Sequence, residues 1–516
     1  MLFNSYIFIF LFLPLSLAGF YLLQVKRATL AKVWLTCFSL WFYGYFNYRY
    51  LLLMLLSILV NYLFHLAMLK WRKNIGKKRE RQLFVLGIVL NLGVLFYFKY
   101  YDFFISNLNS LAGTGFVVKG ILLPLGISFF TFQQISFLAD TYREELEECA
   151  FVDYALFVSF FPQLIAGPIV IHEEMLPQFA RIGKDTRDLQ ERQQLFLGGI
   201  YIFVLGLSKK ILLADVFGRA VDYGYANPAG INGAESFLVV IFYSLQLYFD
   251  FSGYCDMAKG LAAMFGMELA NNFNSPYKAV NIIDFWKRWH ITLSRFFTKN
   301  LYIPLGGNRK GTLRTLVNLF LVFFLSGIWH GAGWNFILWG VMHGGLYIIT
   351  KVFLDKRKRK IKPREEKINS EAGSQRIKKI GGRVLGILSG IFTFAYVSVA
   401  WVYFRAQDIS QGSQLLKNII QKAWQLPGND FLECFRQQEF WYPMKVLKLT
   451  ELPYANAYLM AAYLLVGLAI VFFGKNTEEK KNSFVPGTAN ALSSAILFLW
   501  CVVSLSGVSK FLYFNF

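Results

Sequence analysis

The sequence predicts an all-α polytopic membrane protein, and three observations carry that prediction. Hydrophobic residues make up 56% of the 516-residue chain and charged residues 16%, against about 25% charged in an ordinary soluble domain. The apolar residues fall in long runs, and a helix needs about 20 of them to cross a bilayer. The excess of 53 Lys+Arg over 31 Asp+Glu, a net charge of +22, collects between those runs. Such a chain is not disordered, not a collagen and not a disulfide scaffold, and it is a poor fit to a soluble enzyme.

Taken in order, runs of spanning length occupy 3–23, 31–47, 48–69, 83–99, 151–170, 195–214, 235–250, 315–330, 334–354, 383–405, 457–474 and 488–508. The stretch 119–139 is also apolar, but Pro124 and Gly126 interrupt it. It reads as a span or as a re-entrant element buried by its neighbours. Residues 251–266 are small and mildly polar and suit a buried or partial helix. The total is about 11 to 14 membrane segments, re-entrant or interfacial ones included. The first run reads as a retained helix rather than a signal peptide, because no positive charge precedes it and the first basic residue is Lys26. No repeat of 20–50 residues is visible, so a transporter built from inverted repeats gains no support. The expected plan is one integral membrane domain: N-terminal helices over 1–112, a core over 119–354, a basic loop over 355–382, and C-terminal helices over 383–516 around an outer segment, 406–456.

The charge orients the chain. Residues 70–81 hold seven Lys/Arg and one Glu, and 356–383 hold twelve Lys/Arg and three Glu. Basic residues collect in cytoplasmic loops, so both segments are placed in the cytoplasm, with a weaker third loop at Lys475, Lys480 and Lys481. Counting spans from them puts the N-terminus, 406–456 and the C-terminus outside. Basic runs that flank spans and lack an aromatic stacking pattern set topology and meet anionic lipid headgroups; nucleic acid is not an expected partner. Cys37, Cys149, Cys255, Cys434 and Cys501 form no CxxC pair and read as free thiols, with no metal site expected.

Histidine is scarce, and ionisable residues in spans are costly enough to carry a functional prior. His65 reads as a packing residue near a span end, and His343, in GVMHGGLY, as structural. His172 precedes Glu173 and Glu174, but Leu176 breaks the HExxH metal pattern, so a helix end near the membrane surface accounts for it. In 283–299, a 100° step puts Ile283, Trp286, His290, Leu293 and Phe297 on one face and Asp284, Arg288, Arg295 and Lys299 on the other. That pattern predicts one amphipathic interfacial helix, with His290 either a ligand-facing or a satisfied apolar-face residue. His330, in LSGIWHGAGW, ends the run 315–330 among Gly327, Gly331 and Gly333. It is the best candidate general base, the alternative being a packing residue at a tight helix crossing. Asp250, Ser252 and Asp256 stand at the end of an apolar helix, where the carboxylates could pair with Lys287 or Arg288 or orient a histidine. LGGNRKGT (305–312) lacks the Walker lysine, so no ATP site is expected. A turn at the cytoplasmic face accounts for it, where Arg309 and Lys310 could attract an anionic donor such as a coenzyme A phosphate.

The segments RWHITLSRFFTKNLYIPLGGNRKG and SGIWHGAGWNFILWGVMHG resemble the membrane-bound O-acyltransferase family. LPLGISFFTFQQISFLAD, FPQLIAGPI and YFDFSGYCDMAKGLAAMFGMELANNFNSPY extend the match upstream, over about residues 1–405. The resemblance is to the bacterial branch that holds the alginate O-acetyltransferase membrane subunit, with teichoic acid D-alanyl transfer a more distant relation. It implies a tunnel through a ring of helices, with His330 as the family's membrane histidine and His290 at its second motif position. It further implies no permanently bound cofactor, acetyl-CoA as the donor, and transfer across a bacterial plasma membrane. The recipient would be an extracytoplasmic partner acetyltransferase of the SGNH type that modifies a polysaccharide. On this reading His330 is the base, His290 orients the donor or stabilises a developing oxyanion, and Arg288, Asn308 and Arg309 bind the donor. Asp250, Trp286, Trp289 and Trp329 support the site. Ile171 stands where relatives often carry Arg, which leaves a cation's role there open. Other classes the sequence permits are D-alanyl or other acyl transfer, a lipid or polymer transporter, and a non-catalytic scaffold.

Overall fold

The computed structural model describes residues 1–184, 186–365, 372–437, 439, 441–449, 452–506 and 511–512; of 358–365, 372–383, 441, 443 and 506 it describes the backbone alone. Among the described residues every regular element is a helix, and nine helices are long and apolar enough to cross a membrane. Shorter apolar helices such as Thr488–Val503 add to these. The chain is a multi-pass, all-α membrane protein. Of the basic segment 356–383, the side chains from 358 on lie outside the described residues.

The chain forms two compact units interleaved in sequence. One comprises Met1–Leu212, Asp250–Asn271 and Lys480–Phe516; the other comprises Leu213–Phe249 and Asn272–Glu479.

Three expectations are revised, two within the first unit and one at a helix whose residues divide between the two. The run 151–170 is not one continuous helix of spanning length. It forms helices Phe151–Ser159 and Phe161–Leu164, broken at Phe160. Pro162 lacks an N–H and its ring excludes the carbonyl four residues back. The groups freed by the break are met by side chains: Phe161 N donates to Ser39 Oγ (3.1 Å) and Gln163 Nε2 donates to Phe157 O (2.9 Å). Over 119–139 the chain is irregular up to Gly126, whose φ of +70° favours glycine. The buried sixteen-residue helix Ile127–Tyr142 follows. Finally, 235–250 and 251–266 are one helix, Gly233–Met264. Its small residues do not end it; they let another helix approach. A Cβ on Gly253 would lie 2.8 Å from Gly206 O, and one on Gly260 would lie 2.6 Å from Gly199 O. Helix Leu189–Ser208 therefore packs backbone to backbone along it.

This packing corrects the place of Asp250. It lies mid-helix, and its carboxylate meets Lys210 Nζ at 2.7 Å and accepts from Leu512 N at 3.0 Å. Asp256 meets Lys209 Nζ at 2.6 Å. Neither pairs with Arg288, which bonds Asp284. His65 bonds Thr141 Oγ1 at 2.9 Å, as a packing residue would. His172 opens the helix His172–Ala180 and bonds Asp140 at 2.9 Å.

In the second unit, helices Thr312–His330 and Trp334–Glu365 form a hairpin. A Cβ on Gly327 would meet Phe336 O at 2.5 Å, and one on Gly340 would meet Phe323 O at 2.6 Å. Asn335 Nδ2 donates to Ala406 O (2.8 Å), tying the hairpin to helix Ala372–Arg405.

Two outcomes are expected in detergent-solubilised protein. Gly206→Ile forces two backbones apart and should cost about 1–3 kcal/mol, seen as a lower melting temperature and a broadened size-exclusion peak. Gly93→Ala, where nothing lies within 4 Å of the added Cβ, should leave both unchanged. Asp250→Ala removes the buried carboxylate that meets Lys210 and Leu512 N and should lower the melting temperature, a loss that an Asp250→Leu/Lys210→Met pair should largely restore.

Candidate active site

The site lies within the second unit and begins at a break in the chain. Asn281 starts helix Ile282–Arg288 by accepting from Asp284 N at 3.0 Å. The helix stops at Arg288, Trp289 is extended, and His290 takes φ +45°, ψ +53° before helix Ile291–Phe297. The single amphipathic helix expected over 283–299 is therefore two seven-residue helices. A left-handed conformation costs a non-glycine residue roughly 1–2 kcal/mol, and Asn272 supplies what holds it. Asn272 Oδ1 accepts from Thr292 N (3.2 Å), Thr292 Oγ1 (2.9 Å) and His290 Nδ1 (3.1 Å). Asn272 O accepts from Ile291 N, and Arg288 O accepts from Asn274 N.

This arrangement decides the chemistry of His290. With Oδ1 as acceptor, Nδ1 carries the proton, and Nε2 is the ring's proton-accepting nitrogen. The ring is fully buried, and desolvation lowers its pKa to about 3, so the imidazole is neutral at physiological pH.

His330 ends helix Thr312–His330 and is buried. Its ring packs edge-on to Trp339 (centroids 5.1 Å apart) and Phe404 (5.1 Å), with Trp329 at 4.8 Å. Trp329 also lies 6.5 Å from the ring of His290, so one indole is shared by both histidines. Trp289 packs against Trp401 at 5.0 Å, and Trp401 stacks on Trp339 at 5.6 Å. Trp286 Nε1 donates to His343 Nδ1 at 3.3 Å, and His343 lies 4.8 Å from Trp339. The result is a buried enclosure of indoles that holds three imidazoles. A cavity of about 380 Å³ adjoins it at Trp286, lined also by Ser294, Arg295, Phe323 and Ser326.

Of the residues expected from sequence, His290, His330, Trp286, Trp289 and Trp329 come together here. Asp250 belongs to the other unit, with Lys210. Arg288 is half-exposed and engaged by Asp284 Oδ1 (2.9 Å) and Asn274 O (3.4 Å). Asn308 and Arg309 are exposed in the turn before Thr312, pinned where Asn318 Nδ2 donates to Gly307 O (3.0 Å). A helix rising 1.5 Å per residue separates that turn from His330 by about 27 Å. Contacts from Asn308 or Arg309 to a bound molecule would therefore fall at the opposite end of a span from His330. Sequence reasoning missed Asn272, Trp339, Trp401, Phe404 and the place of His343. Asn272 carried the one available signal, a cluster of three asparagines in NNFN beside a helix end.

The membrane-bound O-acyltransferase family model matches residues 40–381. The chain is 38% identical to the peptidoglycan O-acetyltransferase of Helicobacter pylori, over 100% of this chain and 98% of that protein. It is 34% identical to the probable alginate O-acetylase AlgI of Pseudomonas aeruginosa, over 92% and 81%. Similarity to the teichoic acid D-alanyltransferase of Bacillus subtilis is 30% over 44% of this chain and 59% of that one.

Asn272→Ala would leave buried donors unmatched at about 1–3 kcal/mol each and should lower the melting temperature markedly. His290→Gly, which suits the positive φ, should melt closer to wild type than Asn272→Ala does.

Proposed function

The chain belongs to the membrane-bound O-acyltransferase family and is a membrane O-acyltransferase, and from that premise we propose that it moves an acetyl group from cytoplasmic acetyl-CoA to a partner that O-acetylates a polysaccharide outside the plasma membrane. The observation that carries the mechanism is the pair of buried imidazoles sharing Trp329 inside the indole enclosure. His330 is the general base. It takes the proton of an incoming hydroxyl as that oxygen attacks the thioester carbonyl; as the C–S bond then breaks, the imidazolium returns that proton to the departing sulfur, and coenzyme A leaves as the thiol. General-base assistance contributes about 10²–10⁴-fold, and holding both reactants in an enclosed site adds the gain from orientation.

His290 has the orienting role. Its Nδ1–H is committed to Asn272, so as a neutral ring it offers Nε2 as an acceptor and has no second N–H for an oxyanion. Of the two roles the sequence left open, the geometry favours orientation over oxyanion stabilisation. The dry aromatic walls keep water from the thioester and strengthen every dipole inside. The cavity beside Trp286 is the natural route for the acyl group.

Peptidoglycan is the favoured acceptor polymer, because the similarity to the peptidoglycan enzyme spans both chains nearly end to end, whereas that to AlgI covers 81% of its length. D-alanyl transfer is the second reading, supported by similarity over less than half of this chain. The positive-inside rule, applied to the basic segments, supports an N-terminus outside. Residues 406–456, with helices Ile409–Gln421 and Asn429–Glu433, would then face an SGNH-type partner.

The test is transfer of label from acetyl-CoA in inside-out vesicles that contain the partner. His330→Ala at matched levels of folded protein should reduce transfer by about 10²–10⁴-fold. Wild-type rates in that variant would remove His330 as the base. Absence of transfer by the folded wild type would remove acetyl-CoA as donor. His290→Gly should lower transfer as well, by about 10–100-fold, the range of a lost orienting contact.

A further inference from the structure

Within the first unit, three cavities share walls. One, of about 840 Å³, is lined by Tyr21, Gln24, Arg187 and Arg192 at its polar part and by Leu17, Phe196 and Leu197 at its apolar part. Those last three residues also line a second cavity, of about 600 Å³, which is almost wholly apolar and is closed by helix Thr488–Val503 through Ala491, Ala495 and Phe498. Arg187 and Gly266 also line a third, of about 370 Å³, which holds Arg181, Gln178 and Glu268. A single trough thus passes from a bay with three arginines into an apolar groove.

Its dimensions are set by two helices. Along Leu189–Ser208 the lining begins at Leu189, and from Arg192 to Val204 it rises twelve residue steps, or about 18 Å at 1.5 Å per residue. One leaflet is half of a hydrocarbon core about 30 Å thick. Along Leu13–Lys26 the order is reversed, Val25 and Gln24 lying at the polar end and Leu13 at the apolar end, so the walls are antiparallel. The bay is cationic. Arg192 donates to Asp188 O at 3.4 Å, and Arg187 donates to Gly266 O at 2.8 Å. Among the described residues neither Arg181 nor Arg192 forms an ion pair, and the one carboxylate lining the bay, Glu268, faces Lys481 at 3.7 Å.

We propose that this trough is a binding site for an anionic phospholipid, its phosphate at Arg187 and Arg192 and an acyl chain along Phe196, Ile200 and Val204. A guanidinium pair matches a phosphate with several donors, and a groove of leaflet depth matches the chain attached to it. A soluble phosphate compound would use the bay and leave the 600 Å³ groove empty, which is why a lipid is the better occupant. The trough involves none of the residues assigned to acyl transfer.

The test uses the full chain purified in detergent, with phosphatidylglycerol and phosphatidylcholine as probes. Co-purified lipid is measured by mass spectrometry, and melting temperature is measured with each lipid added back. Wild type should retain and be stabilised by phosphatidylglycerol in preference to phosphatidylcholine. Arg187→Gln/Arg192→Gln should reduce that preference about fivefold per arginine. Ala495→Trp, which fills the groove and keeps the cations, should also lose phosphatidylglycerol. Equal retention of the two lipids by wild type would overturn the proposal, as would undiminished phosphatidylglycerol in a folded Ala495→Trp protein. Displacement of the lipid by coenzyme A would also overturn it, assigning the bay to a soluble phosphate compound instead.

Discussion

Three hydrogens converge on the side-chain oxygen of Asn272, and the position of His290 depends on them. In apolar surroundings a chain can leave the helix only where the freed backbone groups find protein partners. Asn272 provides those partners at the one place where the chain must turn a histidine inward. Ser39 and Gln163 serve the break at Phe160, and Asn318 serves the turn before Thr312. Short amides and hydroxyls thus fix where this apolar chain bends, and one of those bends points an imidazole at Trp329.

The second constraint is close approach. Gly327 and Gly340 bring the hairpin helices together so that His330, at the end of one, meets Trp339 in the first turns of the other. Bulkier residues there would push the two helices apart, and the rings of His330 and Trp339 with them. The enclosure is buried, and desolvation keeps His290 neutral. Packing, protonation state and chemistry therefore rest on the same residues: a glycine seam, a wall of indoles and one asparagine.

Much of this was legible in the sequence. Hydrophobic runs gave the all-α membrane class, and the glycines around His330 pointed to a tight crossing. The motif around His290 and His330 carried the family. What was hidden is physical in kind. The 100° pattern of 283–299 is that of an unbroken helix, and no Gly or Pro marks His290 as left-handed; the break is imposed by Asn272, eighteen residues away. Asp250 has Lys210 as its partner because two helices touch through glycines, and that partner, forty residues away, leaves no trace in local spacing. Trp401 and Phe404 reach the site from helix Ala372–Arg405, far along the chain from His290 and His330, so the enclosure exists only in three dimensions.

The most direct test of the central claim is a structure of the protein bound to an acetyl-CoA analogue in which a non-cleavable ketone replaces the thioester. The account predicts the carbonyl inside the indole enclosure, with its carbon within about 6 Å of a His330 ring nitrogen, the span of one attacking hydroxyl and its hydrogen bond. A carbonyl seated at the Asn308–Arg309 turn, with the enclosure around Trp329 and Trp339 unoccupied, would contradict it.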